Sequence, residues 1–274
     1  MKIASYQFPI SGDVPGNCAR ILKAVEKAAA AGVRLLVCPE CAITGYPPRD
    51  VASSRNVDFD AVMRAHTAIA QAAWNNHIYV IVGTIVKEEC AVEDKSLLMG
   101  GLAKPRIEEV FYNTALLFTP DGQVDRYSKR ALWGWDKDNF SVGQELGIFR
   151  IDDYLVGVRI CFEVRFPEFF RELYREKTDL NIIMFYDVSD NEDPDRYNLI
   201  RGHIRTRAVE NVCYTLTSNA TAPYQTAPTM LCDRSGRMLA TLPVGQEGIL
   251  VYDFDPGRPD FGEAGRIEIS NKLV

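Results

Sequence analysis

The chain has 274 residues, 47% hydrophobic and 25% charged, with no low-complexity tract or internal repeat, so it can bury a large core and general disorder is excluded. A formal net charge of −6 removes the basic footprint that binding a phosphate backbone requires, and nucleic acid is not an expected partner. No apolar run is long enough for a membrane span and residues 1–10 are too polar for a signal peptide, so no membrane association and a cytoplasmic setting are expected; seven cysteines, an odd number, suit reduced thiols.

In chain order, 2–8 reads as a strand, and 16–32 as a helix whose apolar positions recur at helical spacing until Gly32 stops it. A buried strand over 34–40 ends at Glu40, because Gly45 and the Pro47-Pro48 pair turn the chain away. A helix over 58–77 and a strand over 79–86 follow, then a polar excursion over about 88–110. Residues 111–129 read as a hairpin around a Pro-Asp-Gly turn, closed by Lys129. The loop 130–145 leads to a strand over 154–163 that carries Cys161, a helix over about 166–177, and a strand over 179–187. An amphipathic helix over 195–212, a strand over 213–219, a meander through Ser235-Gly236-Arg237 and a strand over 246–255 complete the pattern. Early strand–helix alternation with a strand-rich end and no linker predicts one α/β domain spanning the chain, with a short C-terminal tail from about Pro256.

Glu40, Lys129 and Cys161 each fall at the C-terminal end of a strand, where open α/β sheets bind ligands. A cysteine nucleophile needs a group to take its proton and a donor for the oxyanion that forms when it attacks a carbonyl. Glutamate supplies the first and lysine the second. Taken singly, each has a plainer reading: a core cysteine, a solvated strand-end glutamate, a surface lysine.

Four stretches, PECAITGYPPRD (39–50), RYSKRALWGWDKDNFSVG (126–143), VRICFEVRFPE (158–168) and RTRAVENVCYTLTSN (205–219), together resemble the carbon–nitrogen hydrolase, or nitrilase, superfamily in order and spacing across nearly the whole chain. The resemblance implies a four-layer α-β-β-α sandwich, a Glu-Lys-Cys triad of Glu40, Lys129 and Cys161, no cofactor, no metal, and a homo-oligomer built on dimers. The helix beginning near Phe166 and the C-terminal tail are the expected interface. It also implies a thioester mechanism in which Glu40 shuttles protons while Lys129 and the backbone N–H of Phe162 hold the oxyanion.

Two positions depart from the family pattern. Glu163 stands where aspartate is common. Asp136 stands about where many members carry a second glutamate that supports the lysine, with Asp138 the alternative within the loop.

The implied substrate is a small-molecule amide or N-carbamoyl compound. Nitrile hydrolysis by the same triad and a catalytically inactive binding or scaffold protein stay open, although Phe162, where nitrilases proper usually carry tryptophan, points away from nitriles. Tyr46, Trp133, Trp135, Phe162, Tyr186 and Asp187 are the expected substrate-contacting residues, and Arg165 is expected to pair with a carboxylate such as Glu168. His66 and His203 lie in helical patterns and His77 near a helix end, positions for core or cap rather than catalysis. Cys38 and Cys41 form a C-x-x-C, but zinc would want a second ligand pair and a redox site would want the second cysteine in a helix; neither is present in the sequence.

Overall fold

The structure is a computed structural model that describes residues 1–92 and 106–273. The first half comprises β1 (Lys2–Gln7), α1 (Val14–Ala30), β2 (Leu35–Val37), α2 (Phe59–Asn75), β3 (Tyr79–Val92), β4 (Arg106–Phe118) and β5 (Val124–Ser128). After the short α3 (Trp135–Asn139) come β6 (Ile148–Ile151), β7 (Tyr154–Ile160), a 3₁₀ turn (Cys161–Arg165), α4 (Pro167–Arg175) and β8 (Leu180–Phe185). The remainder is β9 (Val188–Ser189), α5 (Pro194–Glu210), β10 (Tyr214–Asn219), β11 (Tyr224–Gln225), β12 (Met230–Cys232), β13 (Met238–Thr241), β14 (Gly248–Asp253) and α6 (Phe261–Leu273).

Local chemistry explains the long helices. The carboxylates of Asp13, Asp58 and Asp193 each accept a backbone N–H from the first turn that follows, those of Gly16, Ala61 and Arg196, and so satisfy donors that a helix start leaves unpaired. Pro15 and Pro194 sit in first turns, where a missing N–H costs nothing.

Two six-stranded mixed sheets form, in the orders β14-β1-β2-β3-β4-β5 and β13-β12-β10-β8-β7-β6. In each, three parallel strands are flanked by antiparallel ones. The sheets stack through one core, and each buries its other face under helices. Strand periodicity shows this directly. Leu35 and Val37 point into the intersheet core with Ile81, Ile182 and Met184, whereas Leu36 with Val80 and Val82 joins the core under α1 and α2. Ile183 and Phe185 join a third core with Phe170 of α4 and Ile200 and Ile204 of α5. Three cores between four layers make an α-β-β-α sandwich.

Some boundaries differ from the sequence reading. The two described ends of the region read as a polar excursion are strand: β3 and β4 pair out to Val92↔Arg106, with charged side chains such as Lys87 and Glu109 bridging across the exposed ladder. The excursion's residues 93–105 lie outside the described residues. The strand β6 was not foreseen, and the expected tail contains α6, whose Phe261 is almost wholly exposed. The predicted strand ends at 40 and 163 fall earlier, at Val37 and Ile160, so Glu40 and Cys161 occupy the turns just beyond them.

Candidate active site

Glu40 is held by a turn that leans on β3. Cys38 N–H donates to Ile81 O (2.8 Å), Gly83 N–H to Pro39 O (3.1 Å) and Ile43 N–H to Gly83 O (3.0 Å). Only glycine allows this approach, since a Cβ on residue 83 would lie 2.3 Å from Pro39 O and 2.5 Å from Cys41 N. The Glu40 side chain is fully buried. Its Oε1 accepts from Asn113 Nδ2 (2.7 Å) and Lys129 Nζ (2.8 Å), and its Oε2 from the Tyr186 N–H (2.9 Å) at the end of β8 in the other sheet.

Lys129 follows β5 and is fixed at both ends of its peptide unit: its N–H donates to Asn113 O (2.8 Å) and its carbonyl accepts from Gly143 N–H (3.0 Å). The buried ammonium lies between two carboxylates, 2.8 Å from Glu40 Oε1 and 2.8 Å from Asp136 Oδ2. Asp136 is buried in α3, and its Oδ1 accepts from the Tyr46 hydroxyl (2.6 Å). Asp138 of the same helix is exposed, so the acid that meets Lys129 is Asp136.

Cys161 begins the 3₁₀ turn with φ of +46°, a left-handed conformation uncommon for a residue with a side chain. The residue is partly exposed, and all three charged groups act on its thiol. Burial pushes the thiol well above the ordinary cysteine range, the Glu40 charge adds to this, and Lys129 opposes it. Burial also raises the Glu40 carboxyl against the pull of Lys129, with Asp136 raising it further. Burial alone would lower Lys129, but Glu40, Cys161 and Asp136 hold it well above the usual lysine value. The resting site is therefore a neutral thiol beside a firmly charged ammonium, with a carboxylate able to hold a proton.

The predicted substrate-contacting residues divide. Tyr46 and Tyr186 stack at 5.1 Å between ring centroids, and the Asp50 carboxylate, which accepts from Tyr46 N–H (2.9 Å), also takes a hydrogen bond from Tyr186. Asp187 is buried, held by the Arg196 guanidinium (2.9 Å) and the Thr226 hydroxyl. Phe162 packs edge-on against Phe166 (5.1 Å). Trp133 and Trp135 stand outside the buried cluster: they are 66% and 61% exposed, one on the loop and one opening α3. Arg165 does not pair with Glu168; its guanidinium lies over the Phe162 ring (5.8 Å). His66 contacts Thr84 (3.2 Å) and burial lowers it to about 4, while Cys38 and Cys41 are both buried in the core under α1 and α2.

Three contributors were not read from the sequence. Asn113, a buried polar residue within an apolar strand, binds Glu40 through its side chain and Lys129 through its carbonyl. Arg207 of α5 donates to Val164 O (2.9 Å) and Arg165 O (3.2 Å), bracing the turn that carries Cys161. Glu163 was noted as a departure but not for its contacts. Of the three, Asn113 carried a signal in its residue type, because asparagine is poorly suited to a strand interior unless it has a task, and Glu163 carried one only as a departure from the family pattern.

The family model described as carbon-nitrogen hydrolase matches residues 2–259. The deaminated glutathione amidase of Synechocystis sp. is 29% identical over 185 residues, which are 60% of this chain and 65% of that protein, so the chain spans somewhat less than two thirds of that relative's length. An omega-amidase of Xenopus laevis is 24% identical over 80% of this chain and 74% of its own. Among solved structures, a variant of the amidase from Nesterenkonia sp. AN1, with acrylamide added at its active-site cysteine, superposes with a TM-score of 0.74 at 22% identity over 100% of both chains.

Proposed function

The chain belongs to the carbon-nitrogen hydrolase family, and on that premise we propose that it cleaves the carbon–nitrogen bond of a small amide or N-carbamoyl compound through a thioester on Cys161. The observation that carries this is the buried Glu40–Lys129–Asp136 cluster beside the Cys161 turn. A buried ion cluster is costly to maintain for stability alone, and groups perturbed in this way concentrate where chemistry is done.

Glu40 takes the thiol proton as Cys161 sulfur bonds to the carbonyl carbon, and Lys129 with the Phe162 N–H stabilises the oxyanion. The oxygen that moves the proton is Oε2, because Oε1 already accepts two hydrogen bonds and Oε2 only one. Collapse of the oxyanion breaks the C–N bond, and the departing amine takes the proton from Glu40. Water then loses a proton to Glu40 and adds to the thioester; the acid product leaves and the proton returns to sulfur. Base, nucleophile and oxyanion donors all come from the chain, so the reading needs no cofactor.

The same reading includes a cytoplasmic setting, where seven free cysteines stay reduced, and a homo-oligomer built on dimers. The expected interface elements α4 and α6 meet within the chain, through Tyr174 OH to Asn271 Oδ1 (2.8 Å); light scattering at micromolar concentration should give at least a dimer mass.

The deciding assay is release of ammonia or amine from short ω-amides, N-carbamoyl amines, N-carbamoyl amino acids and aliphatic nitriles. Turnover of an amide or carbamoyl compound, abolished in a folded Cys161→Ala protein, is the expected result. Turnover of nitriles alone would move the activity to nitrile hydrolysis. Activity retained by Cys161→Ala would remove the mechanism.

A further inference from the structure

Two residues past the nucleophile lies a carboxylate that the mechanism leaves unused. Glu163 is fully buried and accepts four hydrogen bonds, none from a charged group. Its Oε1 takes the Tyr127 hydroxyl (2.7 Å) and the backbone N–H groups of Arg130 (2.7 Å) and Ala131 (3.3 Å). Its Oε2 takes the N–H of Ile160 (2.7 Å). The first three donors belong to residues on either side of Lys129, and the fourth to the residue just before Cys161.

β5 lies in one sheet and β7 in the other, and among the described residues no strand ladder joins the two sheets. The spacing between the ammonium of Lys129 and the sulfur of Cys161 therefore depends on contacts that cross the gap between sheets. Glu163 makes such a crossing within two residues of both groups. Without it, the partly buried N–H groups of Arg130 and Ala131 would lose their acceptor just where the chain leaves Lys129.

We propose that Glu163 is a positioning residue: its carboxylate locks the Lys129 segment to the Cys161 turn and so sets the distance between nucleophile and oxyanion donor. It touches none of the reacting atoms. The proposal rests on the assignment of Cys161 as nucleophile and Lys129 as oxyanion donor, and it can be read without a known substrate, because Lys129 eases ionisation of the Cys161 thiol.

Glu163→Gln is the informative change. It keeps side-chain size but replaces one acceptor oxygen with a donor. Facing Oε1's three partners the new NH₂ would oppose three donors, whereas facing Ile160 it opposes one, so the amide turns toward Ile160 and breaks the tie to the nucleophile turn. Tyr127→Phe removes one of three donors on the other side and leaves both backbone ties.

The test measures kcat and KM on the best amide found, thermal melting, and the pH dependence of acrylamide alkylation at Cys161 by mass spectrometry, in wild type and both variants. For Glu163→Gln, kcat should fall about 10²-fold with KM within about threefold, the scale expected when reacting groups are misplaced by about 1 Å. Its alkylation profile should move to higher pH, because a displaced Lys129 no longer favours the thiolate. Tyr127→Phe should lose less than about tenfold in kcat. A Glu163→Gln protein that melts lower but keeps kcat within about threefold, or keeps an unshifted alkylation profile, overturns the proposal. Should that variant fail to fold, Glu163→Asp, which retains both acceptor oxygens but is one methylene short, is read by the same assays and against the same limits. If wild type hydrolyses no amide, the proposed reaction fails and the alkylation arm alone decides the role of Glu163.

Discussion

Asp136 reaches Lys129 because α3 begins immediately before it, so the first helical turn carries a short carboxylate inward while Trp135 and Lys137 face out. Asp136 raises the Glu40 carboxyl, so Asp136→Asn should let that carboxyl fall toward the ordinary glutamate range. Glu40 must be ionised to accept the thiol proton, so the acid limb of kcat/KM should move to lower pH even as kcat drops, by about tenfold or more, because Lys129 loses one of its two anchors. A pH–rate profile of the variant checks this, and an unmoved limb would separate Asp136 from Glu40. Asp138→Asn, on the exposed face, should leave both quantities unchanged. Lys129→Met removes the oxyanion donor itself and should cost about 10²–10³-fold in kcat; a loss within about tenfold would take the lysine out of the reaction.

At the scale of the element, the turn after β2 is the most demanding local structure in the site. Gly83→Ala would set a methyl 2.3 Å from Pro39 O and 2.5 Å from Cys41 N, and backbone on both sides cannot step aside as a flexible side chain could. The substitution should cost about 1–3 kcal/mol in stability and should also depress kcat, because the turn it displaces carries Glu40. Gly202→Ala in α5, where an added Cβ meets nothing within 4 Å, is the control and should stabilise slightly, by about 0.5–1 kcal/mol; urea unfolding of the two variants gives the comparison. Elements such as these were largely legible in the sequence. Strands β2, β5, β7 and β8 and helices α1, α2 and α5 follow from periodicity and punctuation, and with them the positions of Glu40, Lys129 and Cys161. The outer halves of β3 and β4 were not, because Lys87, Glu88 and Glu89 form a charged run without apolar alternation, and only cross-strand pairing makes it a strand. Nor could a side chain's surroundings be read: Trp133 and Trp135 are more than half exposed, and Glu163 gains its meaning from Arg130 and Ala131, which are over thirty residues away in the chain.

On the scale of the molecule, periodicity indicated strands buried on both faces, but that they form two stacked sheets came from family resemblance; the alternation of Ile182 and Ile183 between two cores shows why it holds. Strand β8 is the member through which the layers communicate. Its Ile182 and Met184 fill the intersheet core and its Ile183 and Phe185 the core under α4 and α5. At its end, Phe185 O accepts from Glu40 N–H (3.3 Å) and Tyr186 N–H donates to Glu40 Oε2, tying it to the opposite sheet. If the layers are one cooperative unit, damage to either core should destabilise the whole. Ile182→Ala and Ile183→Ala should each cost about 2–5 kcal/mol, the range for truncating a buried aliphatic side chain. Each should unfold in one transition, with far-UV circular dichroism and tryptophan fluorescence coincident. Two separated transitions in Ile182→Ala, with the helix signal of one half surviving the loss of the other, would show that the sheets fold as independent layers and that the chain is not a single folding domain. In that event the active site, whose residues come from both sheets, would lose activity at the lower transition.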